Sequence, residues 1–107
     1  MEMRSAKKRR HIQYADHLHL RLVLRQIPER LPRRIYQRAK EWFFDTVTQH
    51  YVAVARARYA GKIRGMAVSF EDDGETITLI TIHPLKAQQK TNRVNARRWV
   101  PYEKKAT

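Results

Sequence analysis

Cysteine is missing from all 107 residues, so this chain has no disulfide framework, no thiolate metal site and no thiol nucleophile. Glycine is scarce, with three residues. None of them builds a phosphate-cradling glycine loop or a GxSxG nucleophile elbow, which removes nucleotide and ester hydrolysis of those types. There is no apolar run of the roughly eighteen residues that a membrane helix needs. Met1 to Arg10 also lack the apolar centre of a signal peptide, so the expectation is a cytoplasmic protein without a membrane partner. Acidic residues are outnumbered 10 to 23 by lysine and arginine, leaving a net charge of +13.

That excess points to a polyanionic partner, and its distribution matters. Met1 to Gln13 hold five basic residues and one acidic residue, and Leu85 to Thr107 hold seven and one. The polyanion signal is therefore mostly terminal, although basic ends also serve as solubilising tails. At this length one domain with a modest core is expected. Its organisation is read as a basic N-terminal extension (1–13), an α+β core domain (14–84) and a basic C-terminal tail (85–107).

Within the core, Asp16 is a plausible cap for a helix running to about Gln26, where Ile27-Pro28 ends it. Pro32 suits the first turn of a second helix, which Ile35, Ala39, Trp42 and Phe43 continue at three- and four-residue spacing, with Arg34, Arg38, Glu41 and Asp45 opposite. From His50 the period changes to two. Strands are expected over His50 to Tyr59, Ile63 to Glu71 and Thr76 to His83, joined by turns at Ala60-Gly61 and Asp73-Gly74. The predicted fold is thus two N-terminal helices packed on a three-stranded antiparallel meander, with a basic tail.

Taking Asp73-Gly74 as a two-residue turn sets Phe70 opposite Ile77, Val68 opposite Leu79, Met66 opposite Thr81 and Arg64 opposite His83. Tyr51, Ala53, Ala55, Ala57 and Tyr59 then join them on the core face. The other face carries Val52, Val54, Arg56 and Arg58, with Ser69, Thr76 and Thr78 beyond. Such a face is either a solvated sheet surface or a phosphate platform.

Four side chains suit RNA cleavage without a metal or other cofactor. His83 and Arg64 pair in that register, and His17 and Arg21 share a stripe with Arg25 on the first helix, within an arc of about 80°. Histidine moves protons near neutral pH, and arginine holds a phosphate and the charge that develops on it. The alternatives are a structural strand-end histidine and arginines paired with Glu41 or Asp45. Arg33, Arg34 and Arg38 sit toward the start of the second helix and Asp45 at its end, against its macrodipole, and with Arg30 these arginines form either a solvated face or an extension of a basic surface. His17 and His19 point to different sides of a helix with no carboxylate cluster, so no metal site is expected. In the tail, Arg93, Arg97 and Arg98 with Trp99 and Tyr102 fit phosphate contacts combined with base stacking.

The order His17-xxx-Arg21-xxx-Arg25-x-Ile27-Pro28, a helix, and strands ending Ile80-Thr81-Ile82-His83 resembles the BrnT-like branch of the RelE-type endoribonuclease toxins, over roughly His17 to Pro84. The resemblance implies a RelE-like fold and a metal-independent ribonuclease that cuts messenger RNA and is neutralised by an antitoxin protein. Two readings follow. In the first, Arg56, Arg58 and the tail hold phosphates of RNA while His83 or His17 moves protons. In the second, the chain is a non-catalytic RNA- or DNA-binding accessory protein.

Overall fold

The computed structural model describes residues 10–103. Most of the N-terminal extension and the last four residues of the tail lie outside the described residues. Six strands form one mixed sheet: β1 (His11–Tyr14), β2 (Glu41–Asp45), β3 (His50–Tyr59), β4 (Lys62–Asp72), β5 (Thr76–Pro84) and β6 (Trp99–Pro101). Three helices accompany it: α1 (Asp16–Leu24), α2 (Leu31–Arg38) and α3 (Gln89–Asn95). The strand order is β1-β5-β4-β3-β2-β6, with β1 parallel to β5 and every other pair antiparallel.

The expected RelE-like arrangement of two helices on a three-stranded antiparallel meander is therefore not the fold, which is a six-stranded mixed sheet with three helices, and three physical reasons account for the difference. First, the expected second helix stops at Arg38. Ala39 is extended, and Glu41-Trp42-Phe43-Phe44-Asp45 becomes β2, because three adjacent aromatics gain more from a pleated, two-faced surface than from a helix with one buried stripe. Second, the segment assigned to the N-terminal extension contributes His11 to Gln13 to β1, which adds to the outer edge of β5. Third, the tail returns to the sheet: α3 lies outside it and β6 pairs with β2. Both outer strands thus come from stretches that look merely basic in the sequence.

The β3–β4 hairpin has the expected register, Tyr51 opposite Phe70 through Tyr59 opposite Lys62, with Ala60 and Gly61 both at positive φ in the turn. The β4–β5 hairpin does not. Asp73 Oδ1 accepts the amides of Glu75 (2.9 Å) and Thr76 (2.7 Å), widening the loop so that Asp72 pairs with Ile77 and Phe70 with Leu79. A register shift between Ser69 and Phe70 then places Ser69 opposite Thr81, Val68 opposite Ile82 and Ala67 opposite His83. An added residue in one strand moves every later side chain to the other face. His83 is consequently on the face opposite Arg64.

One face packs on α1 and α2. Leu18, Leu22, Ile35 and Tyr36 from the helices meet Ala53, Met66, Val68, Phe70, Ile77, Leu79 and Ile82 in the main core. Alanines along β3 let the helices approach closely, and Tyr36, Trp42 and Phe70 meet edge-to-face with centroids 5.1–5.9 Å apart, a favoured arrangement for aromatic pairs. On the other face a smaller cluster of Phe43, Val52, Val54, Ala67 and Trp99 is covered by Leu85 and Val94. No helix among the described residues is long and apolar enough to cross a membrane.

Candidate nucleic-acid interface

The face turned away from α1 and α2 holds a distinctive set of side chains. Its floor is β5–β4–β3, and alternation brings Thr78, Thr81 and His83 of β5, Ser69 and Ala67 of β4, and Val52, Val54, Arg56 and Arg58 of β3 to one side. Ser69 and Thr81 are register partners whose hydroxyls share a 2.5 Å hydrogen bond. Gln13 of β1 donates to the Thr78 hydroxyl at 3.1 Å, and His50 Nε2 lies 3.2 Å from Glu71. The far end of this face is therefore a half-open strip of hydroxyls and amides, and the near end is apolar and roofed by the C-terminal segment.

His83 sits where the two regions meet. Its Nε2 is buried and has no hydrogen-bond partner among the described residues. Burial, then the charges of Arg93 and Arg98, push its pKa below the ordinary value of 6.5, so the imidazole is neutral at neutral pH. A buried polar atom without a partner is uncommon and calls for an explanation.

The two arginines beside it are held differently. Arg93 of α3 places its guanidinium over the Trp99 ring, 5.2 Å from the centroid. Burial and the charge of Arg98 lower its pKa, with Asp45 working the other way. Arg98 is committed to Asp45: its Nε donates at 3.1 and 3.2 Å to the two carboxylate oxygens and its Nη2 donates at 3.1 Å. Asp45 also accepts the Trp99 indole N–H at 3.1 Å and the amides of Val47 and Thr48. Burial works to raise the Asp45 carboxyl, but Arg98, the two amides and the indole outweigh it and hold it at about 2.

The residues singled out in the sequence are thus divided between the two sides. His83 shares its face with Arg56 and Arg58, which are exposed, and is approached by Arg93 and Arg98 from the roof. His17 and Arg21 are exposed on α1, on the helical side. Arg64 is on that side too, its guanidinium 5.8 Å from the Tyr59 centroid and its Nε buried without a partner. The quartet His83, His17, Arg64 and Arg21 is not brought together. Arg97 is exposed, with positive φ.

Trp99 is 1% exposed and stacks on Phe43 at 5.2 Å, so it offers no ring face to a nucleic-acid base. Tyr102 is half-buried against the Tyr51 ring, 5.1 Å between centroids, and burial raises its hydroxyl, with Tyr36 and Tyr51 adding to the effect. What the sequence reading missed is the anchor, Asp45. The sequence set it at the end of the expected second helix, as a partner for the arginines of the first, and only the strand alternation of residues 41–45 would have turned it toward the C-terminal segment. Among the described residues no three His, Asp or Glu side chains gather as metal ligands.

Comparison of the chain with protein-family models, with curated proteins and with solved structures finds no match in any of the three.

Proposed function

We propose that this protein is a metal-independent endoribonuclease that takes single-stranded RNA across the hydroxyl-lined face of its sheet. The observation that carries the proposal is His83: a neutral imidazole whose Nε2 has no partner among the described residues, flanked by Arg93 and Arg98 and bordering the Ser69–Thr81 strip. In the reaction, Nε2 accepts the proton of a ribose 2′-hydroxyl as that oxygen bonds to the adjacent phosphorus. The bond from phosphorus to the 5′-oxygen breaks, and that oxygen takes a proton from solvent at the open end of the face. Arg93 offsets the charge that builds on the phosphorane-like transition state, and Arg56 and Arg58 hold flanking phosphates. A neutral base is what the first proton transfer needs, and the lowered pKa of His83 supplies one at neutral pH. The toxin-like order of residues around His17 to Pro84 supports the same class of reaction, with an antitoxin protein as the partner it would imply.

A second reading is favoured by one specific observation. His83 Nε2 has no solvent-facing surface, so a substrate hydroxyl reaches it only when neighbouring side chains yield. If they do not, the protein binds RNA, or DNA, on the same face without cutting it.

The deciding experiment is incubation of the purified protein with mixed-sequence RNA in EDTA, beside a His83→Ala variant and a His17→Ala variant. The expected result is discrete cleavage that survives in His17→Ala and disappears in His83→Ala. Intact RNA with a salt-sensitive gel shift would replace the first reading with the second, and the absence of both cleavage and shift would overturn both.

A further inference from the structure

The helical side of the molecule carries a second strongly charged feature that the His83 face does not explain. A groove of about 650 Å³ runs between α2 and the outer part of β3, with Glu29, Arg30, Arg34, Arg38, Ala57 and Arg58 in its lining. We infer that this groove is a second phosphate-binding track, for the backbone of a single-stranded nucleic acid leaving the His83 face. The inference rests on the reading of the protein as one that takes RNA.

Three features of the groove support that assignment. Its charge is one-sided: four guanidiniums face a single carboxylate, Glu29. Among the described residues Arg30, Arg34 and Arg38 have no ion-pair partner, and Arg58 has only a long bond, 3.5 Å, to the Gly61 carbonyl. The groove's cations are therefore not consumed by the fold, unlike Arg98. Their spacing is regular. Arg30, Arg34 and Arg38 follow one another at four-residue steps, about 6 Å along a helix axis and on one side of it. That is commensurate with successive phosphates of one strand rather than with a single compact anion. The arginines also run the length of α2, from Arg30 at its N-terminus to Arg38 in its last turn, and no acidic residue in the first turn interrupts them.

The groove's position links it to the other face. β2 pairs with β3 only as far as Glu41 opposite Val54, so beyond that point the outer edge of β3 has no neighbouring strand among the described residues. Ala57 belongs to the helical side by register and Arg58 to the His83 side, yet both line the groove. The groove therefore lies where the two faces meet. A strand held by Arg56 and Arg58 on one face passes over this free edge to the arginines of α2 on the other.

The test uses full-length protein and two fluorescently labelled 2′-O-methyl RNAs, which resist cleavage: one of 4 nucleotides and one of 16. Anisotropy is recorded over a range of salt concentrations for the wild type, for Arg34→Gln/Arg38→Gln and for Arg34→Lys/Arg38→Lys. For the 16-mer, the glutamine variant should lose on the order of tenfold or more in affinity at low salt. Its slope of log K against log salt should shrink by roughly 1.4, two single-strand phosphate contacts at ~0.7 each. The 4-mer should be unaffected, and the lysine variant should retain most of the slope. A 16-mer slope unchanged in the glutamine variant would overturn the inference while leaving the His83 reading in place. Wild-type protein that binds neither oligomer would overturn both. Inorganic tripolyphosphate displacing the 16-mer from the wild type, with its own binding abolished by the glutamine substitutions, would reassign the groove to a free polyphosphate and overturn the strand assignment.

Discussion

The carboxylate of Asp45 accepts the indole N–H of Trp99 at 3.1 Å, across 54 positions of sequence. This bond ties the middle of the chain to its last strand. Asp45 is 4% exposed, and through the same carboxylate it also fixes Arg98, so one buried acid decides where the C-terminal segment lies and how the roof over His83 is formed.

The Asp45 anchor should be visible in the dependence of stability on pH. Its folded-state pKa, about 2, lies below the ordinary 3.8. The stabilisation is then fully present above about pH 4 and is lost as pH falls through 2, and the difference is worth roughly 2 kcal/mol. Urea unfolding of wild type and Asp45→Asn should differ by about that amount at pH 6, with the gap closing toward pH 2. A gap that is the same at both ends would mean that the ionised carboxylate is not what holds the segment.

Trp99→Phe separates an anchoring role from a base-stacking one. The substitution removes the indole donor and leaves a void beside Phe43, for an expected loss of about 1–3 kcal/mol. At roughly 4–8 °C per kcal/mol for a domain of this size, the fall in Tm is easily read by circular dichroism. RNA affinity, measured well below the Tm of both proteins, should be unchanged. Weakened binding at unaltered stability would restore Trp99 as a stacking surface.

His83 should titrate below 6.5, and its imidazole Cε1–H signal in an NMR pH series reads this directly. Burial is the larger cause and Arg93 the next, so Arg93→Gln should move the midpoint upward but only part of the way to 6.5. The unfolded chain binds a proton at His83 more readily than the folded one. Stability should therefore fall as pH drops from 6.5 through the folded-state pKa, and His83→Gln should flatten that part of the profile. In cleavage assays the rate should rise with pH through the same lowered midpoint. A His83 that titrates above 6.5 would contradict the enclosed site described above.

Local structure was legible where neighbouring residues decide it. Alternation from His50 onward and the Ala60-Gly61 turn placed β3 against β4 in register, because a short hairpin leaves few other pairings. The helix break at Ile27-Pro28 was equally local, with Gln26 at positive φ just before it. Residues 39–45 were not legible in the same way, since Ala39, Trp42 and Phe43 fit helical spacing as well as they fit a strand. Pairing with β3 decided between the two. His83 was misplaced for a similar reason. The Asp73 side chain widened its loop, and a bulge beside Phe70 reversed the face of all that followed.

By itself the sequence determined the charge excess, the exclusion of thiol and glycine-loop chemistry, and the central hairpin, because these depend on composition or on contacts a few residues apart. Tertiary structure alone decided which basic residues are free and which are spent. Arg98 and Arg56 look alike in the chain, but a buried carboxylate 53 positions away holds the first, while the second stands exposed on an open strand. The physical reason is that burying a charge is costly unless a partner is placed to meet it, and only the folded chain shows where such partners are.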